Sequence, residues 1–168
     1  ERKTPMKHLL IDSPLGSLTL AATEYGLAGV WFAEHRHPPK QGILGERVEP
    51  GDDAVLDEAA TQLTDYLAGN RVDFDLPLDP SGTEFQRAGW TRLRAILRGQ
   101  VTTYATVATD IGRPRANQAV GQAVGHNPLS IVVPCHRVIG TDGSITGYAG
   151  GLPAKEYLLE LEGYRTRP

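Results

Sequence analysis

The hydrophobic period of this chain changes near residue 82, and that change limits the fold more than any other feature. Before it, short apolar runs follow one another: KHLLIDS (7–13), SLTLAAT (17–23) and LAGVWFAE (27–34). Pro14-Leu15-Gly16 and Tyr25-Gly26 separate them. Such runs, punctuated by Gly and Pro, read as strands of an antiparallel meander. HRHPPKQGILGERVEPGD follows and reads as a polar surface loop that carries His35 and His37. Positions 55, 59, 63, 66 and 67 of DDAVLDEAATQLTDYL (52–67) are apolar at helical spacing, and Gly69 can stop that helix. VDFDLPLDPSG (72–82) contains two prolines and reads as an extended linker.

Past the linker the pattern is helical. Thr83 can cap TEFQRAGWTRLRAILRG, with Phe85, Trp90, Leu93 and Leu97 on one side and Gly99 as the stop. TYATVATDIG gives a second helix over about 103–111, ended by Gly112. After Gly112-Arg113-Pro114 comes RANQAVGQAVG, a helix of small residues. Two short helices around a tight turn make a helix-turn-helix candidate. The small face of the second suits either close approach to another surface or tight packing in a core. The expected fold is therefore a small antiparallel sheet plus helix over 1–81, then a mostly helical domain with a helix-turn-helix over 82–168.

Composition narrows the function classes. Hydrophobic residues make up 40% of 168 and charged residues 22%, ordinary for a soluble globular protein; the expected location is the cytoplasm, or the nucleus in a eukaryotic host. No apolar run approaches the roughly 20 residues of a membrane span, and ERKTPMKHLLIDSP lacks the apolar core of a secretion signal. Met6 is a candidate natural start, with residues 1–5 ahead of it. A single cysteine points to a reducing compartment and excludes a multi-cysteine zinc site. Net charge is −3, unevenly spread: −7 over 1–81, +5 over 82–137 and −1 over 138–168. The basic middle fits an anionic partner or a solvated Arg-rich face.

The single cysteine sits in IVVPCHRVIG (131–140), directly after a β-branched run and Pro134, with His136 beside it. Three readings compete: an inert buried thiol, a cysteine hydrolase, and a one-use alkyl acceptor. In an extended segment neighbouring side chains point to opposite faces, so Cys135 and His136 would not pair directly. A hydrolase base is normally distant in sequence, and His8, His35, His37 and His126 stand in no hydrolase-like context.

NPLSIVVPCHRVIG resembles the active-site stretch of the O6-alkylguanine-DNA alkyltransferases. FQRAGWTRL (85–93), TTYATVATDIGRP (102–114), AVGQAVGHNP (119–128) and GYAGGLPAKEYLLELE (147–162) follow that family's order, and IDSPLGSLTLAAT is a weaker match. The resemblance implies an RNase H-like α/β N-terminal domain and a helical DNA-binding C-terminal domain. It implies a DNA-repair activity without cofactor or metal: transfer of an alkyl group from O6 of guanine, or O4 of thymine, to Cys135. His136 would act as base through a water, Glu162 would orient His136, Tyr104 would protonate the leaving base, and Asn127 would tie the recognition helix to the active-site loop. Val138, Gly147, Tyr148, Ala149 and Gly150 would line the pocket. Ala116, Ala119, Gly121 and Ala123 would let the helix enter the minor groove, with the base flipped out and Arg94, Arg113 or Arg115 on phosphates. The implied partner is duplex DNA carrying O6-alkylguanine, bound by a monomer, with cooperative assembly on DNA left open. A lesion-binding protein of the same fold is the alternative, but such proteins replace the cysteine.

One position departs from the family pattern. Gln118 stands where an Arg that fills the gap of the flipped base is usual. Glutamine brings no charge and no guanidinium stacking, so weaker duplex binding with intact thiol chemistry is expected.

Overall fold

The computed structural model describes residues 5–40 and 42–165. Residues 1–4, ahead of the candidate start, lie outside the described residues. Leu9, Leu20, Leu27 and Val30 are driven inward together, and the first three strands pair accordingly. β1 (Lys7–Ile11), β2 (Leu18–Thr23) and β3 (Gly26–Phe32) form the antiparallel meander, in register Leu9 to Leu20 to Val30. The supposed loop after β3 hides a short strand, β4 (Glu46–Arg47), which runs parallel to β1 and completes the order β3-β2-β1-β4. His35 also departs from the surface-loop reading. It is buried, its Nδ1 accepts the Phe32 N–H at 3.2 Å, and its ring stacks on Phe32.

α1 (Ala54–Leu67) is capped by Asp53, whose carboxylate accepts the Leu56 N–H. It packs Leu56, Leu63 and Leu67 into the core, each stabilising by roughly 2 kcal/mol. The far side of β3 is an edge, and two segments cover it. Leu27 exchanges backbone hydrogen bonds with Pro77 and Asp79 of the linker, and Val30 N–H donates to Pro128 O at 2.8 Å. The edge is thereby paired within the chain, and the loop that precedes Cys135 is moored to the sheet.

α2 (Glu84–Leu93) begins with a capping box between Thr83 and Gln86. It stops at Leu93 rather than near Gly99. The next turns tighten to i−3 bonds, burying Ile96 and leaving Leu97 64% exposed. The reason lies elsewhere in the fold: this turn presents the Ile96 carbonyl to Arg137 Nη1 at 2.6 Å. α3 (Tyr104–Asp110) and α4 (Asn117–Gly125) make the helix-turn-helix. β5 (Thr102–Thr103) and β6 (Val138–Ile139) pair in parallel, and α5 (Leu152–Leu161) closes the core with Leu158 and Leu159. No helix among the described residues is long and apolar enough to cross a membrane.

Candidate active site and DNA-facing helix

Residues 131–133 are β-branched, yet they form a turn rather than a strand. Ile131 adopts φ 74°, a left-handed conformation that β-branched residues avoid. It is held there by burial and by the Val133 N–H, which closes onto Leu129 O at 2.9 Å. Asn127 stiffens the same turn: its Nδ2 donates to Val133 O and its Oδ1 accepts the Leu129 N–H, both at 2.9 Å. Cys135–Arg137 is then a single 3-10 turn, so the expected opposite-face geometry of an extended segment does not hold. Even so, no hydrogen bond joins Cys135 to His136.

His136 is fully buried, and its Nε2 meets Glu162 Oε2 at 2.8 Å. That bond makes Nε2 the protonated nitrogen and leaves Nδ1 with its lone pair. His136 Nδ1 is one of three buried side-chain polar atoms without a partner among the described residues; Ser130 Oγ and Tyr148 Oη are the others. Glu162 caps α5 and gathers further donors. Arg137 Nε reaches Oε1 at 2.8 Å, Arg137 Nη2 reaches Oε2 at 3.0 Å, and the Tyr66 hydroxyl donates from α1. Burial alone would raise the Glu162 carboxyl, but hydrogen bonds from His136 and Arg137 outweigh it and hold the pKa at about 2. Burial lowers His136 against the pull of that carboxylate, so the imidazole is neutral.

Cys135 is 5% exposed and borders a cleft of about 740 Å³. Burial pushes its thiol up, opposed by the Asn127 amide and the Lys155 charge. Tyr104, Gly147, Tyr148 and Ala149 border the same cleft, and Thr146 Oγ1 approaches Tyr104 Oη at 3.4 Å. Val138 and Gly150 do not border it, contrary to expectation. Val138 is wholly buried in β6, and Gly150 lies so close to the Phe32 ring that a Cβ would sit 2.5 Å from it.

α4 divides its small residues between two environments. Gln118 and Ala119 are exposed, Ala116 and Gly121 are half-buried, and a groove of about 600 Å³ runs along the outer face beside Arg115 and Phe85. Ala123 borders the same groove but at its floor: it is 3% exposed and packs on α2 opposite Gly89, where its carbonyl accepts Trp90 Nε1–H at 2.8 Å. Arg113 lies over the Phe85 ring. Arg94, at the end of α2, borders a separate hollow with Phe74 and Leu97, away from this groove.

Residues 84–164 match the DNA-binding domain of 6-O-methylguanine DNA methyltransferase, and residues 6–80 match the ribonuclease-like domain of the same family. A methylated-DNA–protein-cysteine methyltransferase of Methanosarcina acetivorans is 44% identical over 94% of this chain and 99% of its own. One from Salmonella typhimurium is 44% identical over 92% and 94%. The crystal structure of Mycobacterium tuberculosis OGT in complex with DNA superposes with a TM-score of 0.85 at 42% identity, covering 94% of this chain and 93% of that one. The chain belongs to the 6-O-methylguanine DNA methyltransferase family.

Within this methyltransferase fold, several residues beside the thiol escaped the sequence reading. Lys155 is wholly buried and donates to the carbonyls of Val138, Thr146 and Gly147 at 2.7, 2.9 and 3.4 Å. Burial lowers it to about 8. A lysine on the apolar stripe of α5, between Ala154 and Leu158, was the available signal. Tyr66 occupied a core position of α1, and nothing local marked its hydroxyl as a partner for Glu162. Arg36 and His37 also border the cleft, with His37 stacked on His126 at 3.8 Å between ring centroids. Read as loop residues, they gave no sequence sign of lying beside Cys135.

Proposed function

We propose that this protein repairs DNA by moving an alkyl group from O6 of guanine to its own Cys135, once per molecule. The single observation that carries the reading is a cysteine on the wall of a cleft whose neighbouring histidine is buried, neutral and held by a carboxylate. The thiolate attacks the alkyl carbon, the bond from that carbon to O6 breaks, and a thioether remains. The thiol proton passes through a water to His136 Nδ1, the nitrogen that the Glu162 bond leaves free to accept it. Glu162 fixes the imidazole, and Lys155 offsets the charge of the thiolate. The Tyr104 hydroxyl protonates the departing guanine. Asn127 holds the turn that presents Cys135.

The finer features belong to the same proposal. The target base swings out of the stack into the cleft, at a cost of a few kcal/mol. Ala116, Ala119 and Gly121 let α4 approach the minor groove, and Arg113 and Arg115 meet phosphates. Gln118 weakens duplex binding for want of charge. An alkyl group on O4 of thymine is a second substrate, passed to the same thiol. The protein acts as a cytoplasmic monomer, with residues 1–81 and 82–168 as its two domains.

Intact-mass measurement after incubation with excess O6-benzylguanine, followed by peptide mapping, tests the reading. One benzyl group on the Cys135 peptide, with no second event, is expected. Repeated turnover, or an adduct elsewhere, would overturn it.

A further inference from the structure

We infer that Arg36, supplied by the N-terminal domain, holds a backbone phosphate of the nucleotide that enters the Cys135 cleft. The inference rests on the alkyltransferase reading and extends it to a residue outside the DNA-binding domain.

A flipped base carries its sugar and phosphates with it, so the mouth of the cleft must accept a negative charge. Cations meet phosphates best where the cleft walls lower the local dielectric. The side chains of α4 around the cleft are Asn117, Gln118, Gln122 and His126, none of which carries a permanent charge. No Asp or Glu borders the cleft among the described residues, and Arg36 is the one Lys or Arg that does.

Arg36 is also fixed in place. Its N–H donates to Ala149 O at 2.8 Å, which pins the loop after β3 to the active-site segment. Its Nη1 lies 3.5 Å from where a Gly147 Cβ would be, so the guanidinium lies against the cleft wall. His37 then stacks on His126 at the end of α4, clamping the same loop to the recognition helix. Burial, the neighbouring His126 and Arg36 all lower His37, so it serves as a neutral clamp and the charge is left to Arg36. The guanidinium remains exposed and has no carboxylate partner among the described residues. It borders the same cleft as the thiol, and its planar fork of donors is suited to bidentate phosphate contact. The arrangement also answers the Gln118 departure: a charge missing from the helix is restored from the sheet side of the cleft.

The test compares wild type, Arg36→Ala and Arg36→Lys. Rate constants are measured with duplex DNA containing O6-methylguanine and with free O6-benzylguanine, and duplex affinity is measured across a salt series. For Arg36→Ala the ratio of duplex to free-base rate constants is expected to fall about tenfold, and the slope of log affinity against log salt to become shallower by about one. Arg36→Lys is expected to recover most of both, because it keeps the charge. A reactive wild type whose ratio and slope survive in Arg36→Ala overturns this assignment alone. A wild type that leaves both substrates untouched overturns the alkyltransferase reading and this assignment with it.

Discussion

Glu162 accepts four hydrogen bonds from three residues, and those residues come from two segments far away in sequence. Removing its charge by Glu162→Gln strands the Arg137 guanidinium, which is 9% exposed. A buried cation without its partner costs about 3–5 kcal/mol, so the urea midpoint should drop sharply. Labelling by O6-benzylguanine should slow by about two orders of magnitude, the scale of lost acid-base assistance. Tyr66→Phe is milder: three of the four bonds remain, the loss is about 1 kcal/mol, and labelling should slow only a few-fold. If both variants label at the wild-type rate, Glu162 does not set the state of His136.

At the scale of elements, α4 separates by face, and the two faces predict opposite phenotypes. Ala123→Leu forces a larger side chain between α2 and α4 beside the Trp90 bond. It should destabilise by about 2 kcal/mol through overpacking, read as a lowered Tm. Ala119→Leu lies on the exposed face. It should leave Tm nearly unchanged and weaken duplex binding, because the added bulk resists close approach to a groove. Gln118→Arg, one residue earlier, should raise the rate on duplex O6-methylguanine about tenfold, the yield of one desolvated cationic contact. An unchanged duplex rate would remove Gln118 from the account of DNA binding. The cap of α2 at Thr83 and the end of α4 at Gly125 were legible from a Thr and a Gly. The early stop of α2 was not, because it serves a hydrogen bond to Arg137 made 41 residues away.

The whole molecule should lose stability on acidification in two stages. Burial lowers His35 to about 4 and lowers His136 as well, so both are neutral in the fold. Their unfolded counterparts gain protons below about 6.5. The unfolded chain then binds more protons, and stability falls as pH drops through 6.5 toward 4. Glu162 behaves in the opposite chemical sense with the same outcome. Held at about 2, it contributes stability above its ordinary value of 4.5 and loses it as pH falls from 4.5 to 2. Urea midpoints at pH 7, 6, 5 and 4 should decline steadily. A flat profile between 7 and 5 would show that neither histidine is held neutral by burial.

By itself the sequence determined most of the elements and the stretch that carries the thiol. Short apolar runs set off by Gly and Pro made a meander, helical spacing and Gly stops made α1 to α4, and a single Cys-His pair within PCHRV marked the candidate reactive stretch. These features depend on neighbours a few residues apart, which is the range over which hydrophobic period and capping act. Only the tertiary structure decided what surrounds the thiol. It turned an apparent strand at 131–133 into a strained turn, carried Tyr66 and Arg36 from the N-terminal domain to the site, and buried Lys155 against three carbonyls. Those partners are distant in sequence. They meet because β3 is an edge that the linker and the 128–129 loop must cover, and covering it brings the two halves of the chain together around Cys135.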